Sequence, residues 1–143
     1  MKKILLVLLL LLSTGSLTAQ VTFETSSTDT VRAKAEKTGK LVFIDLYATW
    51  CPPCRAMEQQ VFSLPEVGNF MSQRFVCAKY DTDKPTGKKL LKKYGSGAIP
   101  LYLIFRTNGE LVGRITGGAA AKEFMSNIES MLARSKTESA ASY

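Results

Sequence analysis

Histidine is absent from all 143 residues. Its absence rules out Ser-His and Cys-His nucleophile pairs and any His-ligated metal. Cysteine is scarce: Cys51, Cys54 and Cys77 are the three present. Three thiolates cannot complete a four-thiolate zinc site. One close pair with a third cysteine alone does not make a disulfide-stapled scaffold either. Acidic residues are few, 12 Asp and Glu against 19 Lys and Arg. The basic excess is modest and too diffuse to point to nucleic acid. Its densest cluster, Lys84, Lys88, Lys89, Lys92 and Lys93, reads as a solvated helix face. The longest unbroken apolar run, Ile4–Leu12, has nine residues, whereas a membrane span needs roughly 20. Internal repeats are also missing.

The N-terminus has the layout of a secretory leader. Lys2 and Lys3 precede Ile4–Leu12, and Ser13–Ala19 is small and polar. Residues 1–19 are therefore expected to be a cleaved signal peptide, with the cut near Ala19–Gln20. No cysteine precedes Cys51, so a lipid-modified N-terminal cysteine is excluded. The Leu-rich leader, with two Lys and no Arg, points to a bacterial periplasm, where disulfides persist. Removing the leader takes away two of the 19 basic residues and lowers the net charge from +7 to +5.

Residues 20–134 then form one domain, with 135–143 a polar, flexible tail. Val21–Thr25 reads as a short strand. Thr28 or Asp29 caps a helix that Gly39 stops. Leu41–Ala48, apolar except for Asp45, reads as a strand buried on both faces. A helix from Pro52 to about Phe62 places Pro53, Met57 and Val61 on one face, and a second, with Pro65 in its first turn, runs to about Gln73. Strand Phe75–Asp81 and helix Thr86–Tyr94 follow. Leu101–Arg106 and Glu110–Ile115 form a hairpin through Asn108-Gly109, read as a two-residue turn. Ala119–Ala133 closes the domain as a helix. The order implies an α/β fold: a central mixed sheet with helices on both faces.

Trp50-Cys51-Pro52-Pro53-Cys54 carries the chemistry. Cysteines three apart at a helix start approach within about 5–6 Å, inside disulfide reach, so Cys51 and Cys54 are expected to pair in a reducible bond. The positive end of the helix stabilises a thiolate. Cys51 at the tip is the expected nucleophile, and Cys54, a turn deeper, the resolving thiol. Pro52 and Pro53 suit a first turn, but each removes an N–H that Cys51 can use. The N–H groups of Cys54 and Arg55 are expected to remain, leaving Cys51 less acidic than with Gly at 52. Asp45, the one charge in its strand, is expected to have a raised pKa. Trp50 is read as a shield for the disulfide and an apolar contact for substrate. Cys77 is read as a small buried hydrophobe, and Tyr47 and Tyr80 as core or sheet-face residues.

These residues, in this order, resemble the thioredoxin fold over about Thr28–Ala133. Leu41–Cys54, Ala78-Lys79 with Asp81 and Asp83, Lys93-Tyr94-Gly95 with Ile99-Pro100, and Gly117 carry the likeness. Asp45-Leu46-Tyr47-Ala48 before Trp50-Cys51, with Val61-Phe62-Ser63 and Pro65 after, resembles the C-terminal periplasmic domain of disulfide-interchange protein D. Pro52-Pro53 departs from the Gly-Pro of thioredoxin. The resemblance implies that Asp45 lies beneath the cysteines as a proton relay to Cys54, with Lys79 as its partner. It implies a cis Ile99–Pro100 bond that turns the Ile99 backbone toward Cys51, forming an edge for an extended substrate. Pro100, Ile99, Trp50, Pro52, Pro53 and Gly117 are the expected substrate contacts.

The function expected is exported thiol:disulfide exchange with protein substrates. The reducing direction is favoured by Asp45, by the lack of His between the cysteines, and by the reductase resemblance. A reductase in an oxidising compartment implies a membrane electron donor as a second partner. No metal and no organic cofactor is needed, nucleic acid is not a partner, and a monomer without a membrane span is expected after cleavage. The rivals are an oxidase or isomerase of the same fold and a non-catalytic binding or chaperone module.

Overall fold

The computed structural model describes residues 20–141. The expected signal peptide lies outside the described residues. Five strands, β1 (Phe23–Glu24), β2 (Leu41–Tyr47), β3 (Phe75–Asp81), β4 (Leu101–Phe105) and β5 (Leu111–Thr116), form one sheet in the order β1-β3-β2-β4-β5. β1, β3 and β2 run parallel, while β4 and β5 are antiparallel to their neighbours. Five helices connect and cover them: α1 (Thr28–Thr38), α2 (Pro52–Gln60), α3 (Pro65–Arg74), α4 (Pro85–Tyr94) and α5 (Ala121–Ala141). The mixed sheet between two helical layers is the architecture the sequence implied.

β2 is central because its residues are apolar on both faces. Val42, Ile44 and Leu46 face Val31 and Ala35 of α1 and Leu90 and Leu91 of α4. Phe43 faces the other way, into a cluster with Met57, Phe62, Tyr102, Phe124 and Ile128. The aromatic rings there meet edge to face or stacked, with Phe43–Tyr102 centroids 5.6 Å apart and Phe62–Phe124 5.5 Å. Strand alternation places Asp45 on the same side as Phe43, beneath α2.

Local chemistry sets the ends of the elements. α1 is capped by Ser27, whose Oγ accepts from the Thr30 N–H at 3.2 Å, and not by Thr28 or Asp29 as expected. Gly39 ends it in the left-handed region, φ 67°, and Lys40 N–H reaches the Ala35 carbonyl. The β4–β5 connection is also different from the expected two-residue turn. Arg106 carbonyl accepts from Gly109 N–H, and Arg106 N–H donates to the Glu110 carbonyl. The loop is Thr107-Asn108-Gly109, and Gly109 takes positive φ while Asn108 does not. A two-residue type I′ turn needs positive φ at both central residues, so the chain uses the three-residue alternative.

α5 runs past its expected end near Ala133 to Ala141, through the segment read as a flexible tail. No Gly or Pro interrupts 121–141, and Ser135 and Thr137 hydroxyls donate to the Leu132 and Ala133 carbonyls. Among the described residues, no helix is long and apolar enough to cross a membrane.

Candidate active site

β2 ends at Tyr47, and the chain passes through Ala48, Thr49 and Trp50 before α2 begins at Pro52. Arg55 ties this loop down by donating from Nη1 to the Thr49 carbonyl at 3.0 Å. Cys51 is the N-cap of α2, with extended backbone, and its Sγ accepts from the Cys54 N–H at 3.3 Å. Cys51 and Cys54, Cα atoms 5.3 Å apart, are joined by a disulfide. Both are buried, with Tyr47, Ala48 and Ile99 packed around them. Pro52 and Pro53 hold the first two helical positions and are exposed. Pro53 lines one surface cleft with Met57 and Val61, the face expected for the three, and is itself exposed. The Arg55 N–H is committed to the Cys51 carbonyl at 3.2 Å. Of the two donors expected to remain for the Cys51 sulfur, only the Cys54 N–H is free to serve it.

Asp45 is 7% exposed, and its Oδ1 has no hydrogen-bond partner among the described residues. It lines a cleft of roughly 210 Å³ together with Cys54, Tyr47, Glu58 and Lys79. Burial pushes its pKa from 3.8 up to about 7, against the pull of Lys79 and with a smaller push from Glu58. A carboxyl poised there takes up or releases a proton near neutral pH.

Lys79 lies directly across from Asp45 in the β2–β3 register. Its ammonium, however, pairs with Glu58 at 2.7 Å and sits 5.3 Å from the Tyr47 ring centroid. Lys79 acts on Asp45 through space, and its direct partner is Glu58. The physical reason is solvation: an ion pair at the rim keeps much of its water, whereas one with Asp45 strips two charges of theirs. Glu58 was missed from sequence. Its signal was its place four residues after Cys54, one turn along the same helix face.

On the other side of Asp45, in the β2–β4 register, stands Tyr102. Its buried hydroxyl also has no hydrogen-bond partner among the described residues, and burial, with the Asp45 charge, pushes its pKa up. This residue was missed because alternating strand apolarity marks Tyr as core without marking its hydroxyl.

The Ile99–Pro100 bond is cis. The Pro100 carbonyl accepts from Gly117 N–H at 2.8 Å, so the two loops expected to flank the cysteines are joined. Gly117 has φ 93°, a conformation that side chains disfavour. Trp50 is 62% exposed, so it is not a core residue. Its indole N–H donates to Asp83 Oδ2 at 2.8 Å. Asp83, 33 residues away, held no local signal as the group that sets the indole. Cys77 is buried mid-strand in β3, and burial pushes its thiol up to about 12. Tyr80 is buried and donates from Oη to the Ser26 carbonyl at 2.8 Å.

The model of the thioredoxin-like domain family matches residues 28–132. The chain belongs to the thioredoxin-like family. Similar members include thioredoxin Y of Oryza sativa subsp. japonica, 37% identical over 97 residues, 68% of this chain and 54% of that protein. The thiol:disulfide interchange protein DsbD of Cronobacter sakazakii is 34% identical over 111 residues, 73% of this chain and 19% of that protein. The chain thus spans about half the length of the thioredoxin Y relative and under a fifth of the DsbD one. Among solved structures, a Bacteroides thetaiotaomicron protein assigned as a disulphide-isomerase superposes with a TM-score of 0.73 at 32% identity. That match covers 80% of this chain and 94% of the other. The oxidised C-terminal domain of Neisseria meningitidis DsbD, 24% identical, shares the fold with a TM-score of 0.63, covering 76% and 98%.

Proposed function

We propose that the protein is an exported thiol:disulfide oxidoreductase that works on protein disulfides in the reducing direction. The observation that carries this reading is the Cys51–Cys54 disulfide at the head of α2, above a buried Asp45 whose Oδ1 has no partner among the described residues. In the reduced protein, the Cys51 thiolate attacks a substrate disulfide. One substrate sulfur leaves as a thiol, and the other is held on Cys51. Asp45 takes the Cys54 proton, and Cys54 then attacks Cys51. The second substrate thiol leaves, and the observed disulfide forms. Two electrons pass to the substrate with two protons, and a dithiol protein at the membrane returns them for the next cycle. The cleft shared by Asp45 and Cys54 admits the water that exchanges that proton with solvent.

Trp50, Pro52, Pro53, Ile99, Pro100 and Gly117 form the substrate edge in this reading, where an extended segment pairs with backbone beside the sulfurs. The leader of Lys2, Lys3 and Ile4–Leu12 supports export to the periplasm. The relatives named thiol:disulfide interchange proteins support exchange, and the reducing direction is drawn from Asp45 and from the lack of His between the cysteines. A second reading, isomerase, draws on the Bacteroides relative assigned to that activity.

Trapping with Cys54→Ser tests the roles. Substrates are expected to remain covalently held on Cys51 and to be identifiable by mass. Capture of nothing, or capture chiefly through Cys77, overturns the assignment. Reduction potential separates the directions: a value near −270 mV marks a reductant and one near −120 mV an oxidant.

A further inference from the structure

We propose that α4 is a docking surface for the acidic face of a disulfide-exchange partner, an inference that rests on the exchange reading above. From residue 20 onward the chain carries 17 Lys and Arg against 12 Asp and Glu. Five of those 17 are Lys84, Lys88, Lys89, Lys92 and Lys93, and the remaining charges balance. The whole basic excess of the domain therefore lies on one ten-residue helix and its N-cap.

The sequence alone reads these lysines as a solvated face, but an ordinary solvated face mixes signs. α4 has no acidic residue at all. All five lysines are exposed, and no described carboxylate pairs with any of them. The nearby Asp81 and Asp83 are engaged elsewhere: Asp81 Oδ1 accepts from the Asp83 N–H, and Asp83 Oδ2 from the Trp50 indole. Lys84/Lys88, Lys88/Lys92 and Lys89/Lys93 are like charges four apart, which weakens a helix. Lys84 stands at the N-cap, where positive charge opposes the helix dipole and no side chain caps the backbone. The helix holds because Gly87, Leu90, Leu91 and Tyr94 turn to the sheet. Any Cβ at Gly87 would lie 2.1 Å from the Asp81 carbonyl oxygen, so the first turn is pressed against the exit of β3.

The N-terminal end of α4 adjoins the redox edge, while Tyr94 at its other end packs on Phe105, which pairs with Val42 at the start of β2. Lys84 follows Asp83, which holds Trp50, and the other end leads through Gly95–Ala98 to Ile99 and Pro100. A partner whose disulfide reaches Cys51 along that edge meets the segments that lead into and out of α4, and in this proposal its flanking side chains extend onto the helix. Carboxylates in those positions meet a field of one sign, which speeds encounter and rejects basic partners.

The test uses two synthetic disulfide peptides of identical core, one flanked by Asp and Glu and one by Lys and Arg. Their reduction by the reduced full chain is expressed relative to a neutral disulfide, hydroxyethyl disulfide. At low salt the acidic peptide should react about tenfold or more faster than the basic one. That contrast should fall below about twofold in 0.5 M salt, where charges are screened. In Lys88→Glu/Lys92→Glu it should vanish or invert. Equal relative rates for the two peptides in the native protein, or a contrast that survives charge reversal, overturns the docking surface while leaving exchange intact. Inertness toward all three disulfides overturns both readings. Binding to phosphatidylglycerol vesicles that is lost in the variant, with peptide rates showing no contrast, assigns α4 to lipid and overturns the proposal.

Discussion

Cys51 and Cys77 are the same residue in opposite settings. Cys77 sits mid-strand in β3, paired in register with Phe43 and Phe23, where burial pushes its thiol up to about 12. Cys51 is equally hidden, yet it caps a helix and takes an N–H from Cys54 on its sulfur. Exposure does not distinguish the two, since both are buried. The difference is the donor: β3 spends its N–H groups on the sheet ladder, whereas a helix start has N–H groups to spare. A helix start can offer a donor to a sulfur that a strand interior cannot, and of the two only Cys51 has a cysteine three residues away to bond.

The largest expected effect breaks the comparison outright. Cys51→Ser should drop exchange to the uncatalysed background, while Cys77→Ala keeps the exchange rate within about twofold and lowers stability by about 1 kcal/mol. Turnover of a disulfide substrate and a denaturant titration check both halves. If Cys77→Ala also abolishes exchange, the contrast between the two thiols collapses.

Asp45 sharpens the comparison, because it lies under the reactive pair and is charged only at a cost. Its folded pKa of about 7 stands above the 3.8 of an ordinary Asp. A raised carboxyl pKa favours the folded state below pH 3.8, and that contribution is lost as pH rises through about 7. Asp45→Asn should therefore stabilise the protein by up to about 4 kcal/mol at pH 8 and by almost nothing at pH 4. The same variant should slow resolution of the mixed disulfide by about 100-fold. Denaturation midpoints across pH read the first effect and rapid-mixing kinetics the second. A pH-independent stability difference would remove burial as the cause.

The smallest effect concerns the donors themselves. Pro52→Gly restores an N–H beside Cys51, and should lower the Cys51 thiol pKa. Thiolate absorbance reads it; an unchanged or higher pKa separates the backbone donors from Cys51 reactivity.

Most of the site was legible because its residues are close in sequence or conspicuous in type. Cys51 and Cys54 lie on one helical turn, and Asp45 interrupts an apolar strand. The contacts that sequence does not show are ones that no local pattern marks. Glu58 reaches Lys79 across 21 positions, and Asp83 reaches Trp50 across 33. The fold was legible through period and punctuation, and it went astray where two local options had similar energy. Asn108-Gly109 suits either a two- or a three-residue loop, and the strand register chose between them. The stretch after Ala133 has no breaker, and its polarity alone does not end the helix, which continues to Ala141.

By itself the sequence determined the layering of the sheet, the pairing of Cys51 with Cys54 and the prolines beside them, because these follow from periodicity and from short spans of chain. Only the tertiary structure decided that Lys79 bonds Glu58 while acting on Asp45 from a distance, and that Asp45 and Tyr102, neighbours in register, each keep an oxygen without a partner among the described residues. It also decided that the Arg55 N–H is spoken for. Those outcomes depend on which groups keep their water and which lose it, and solvation is a property of the assembled surface and not of any stretch of chain.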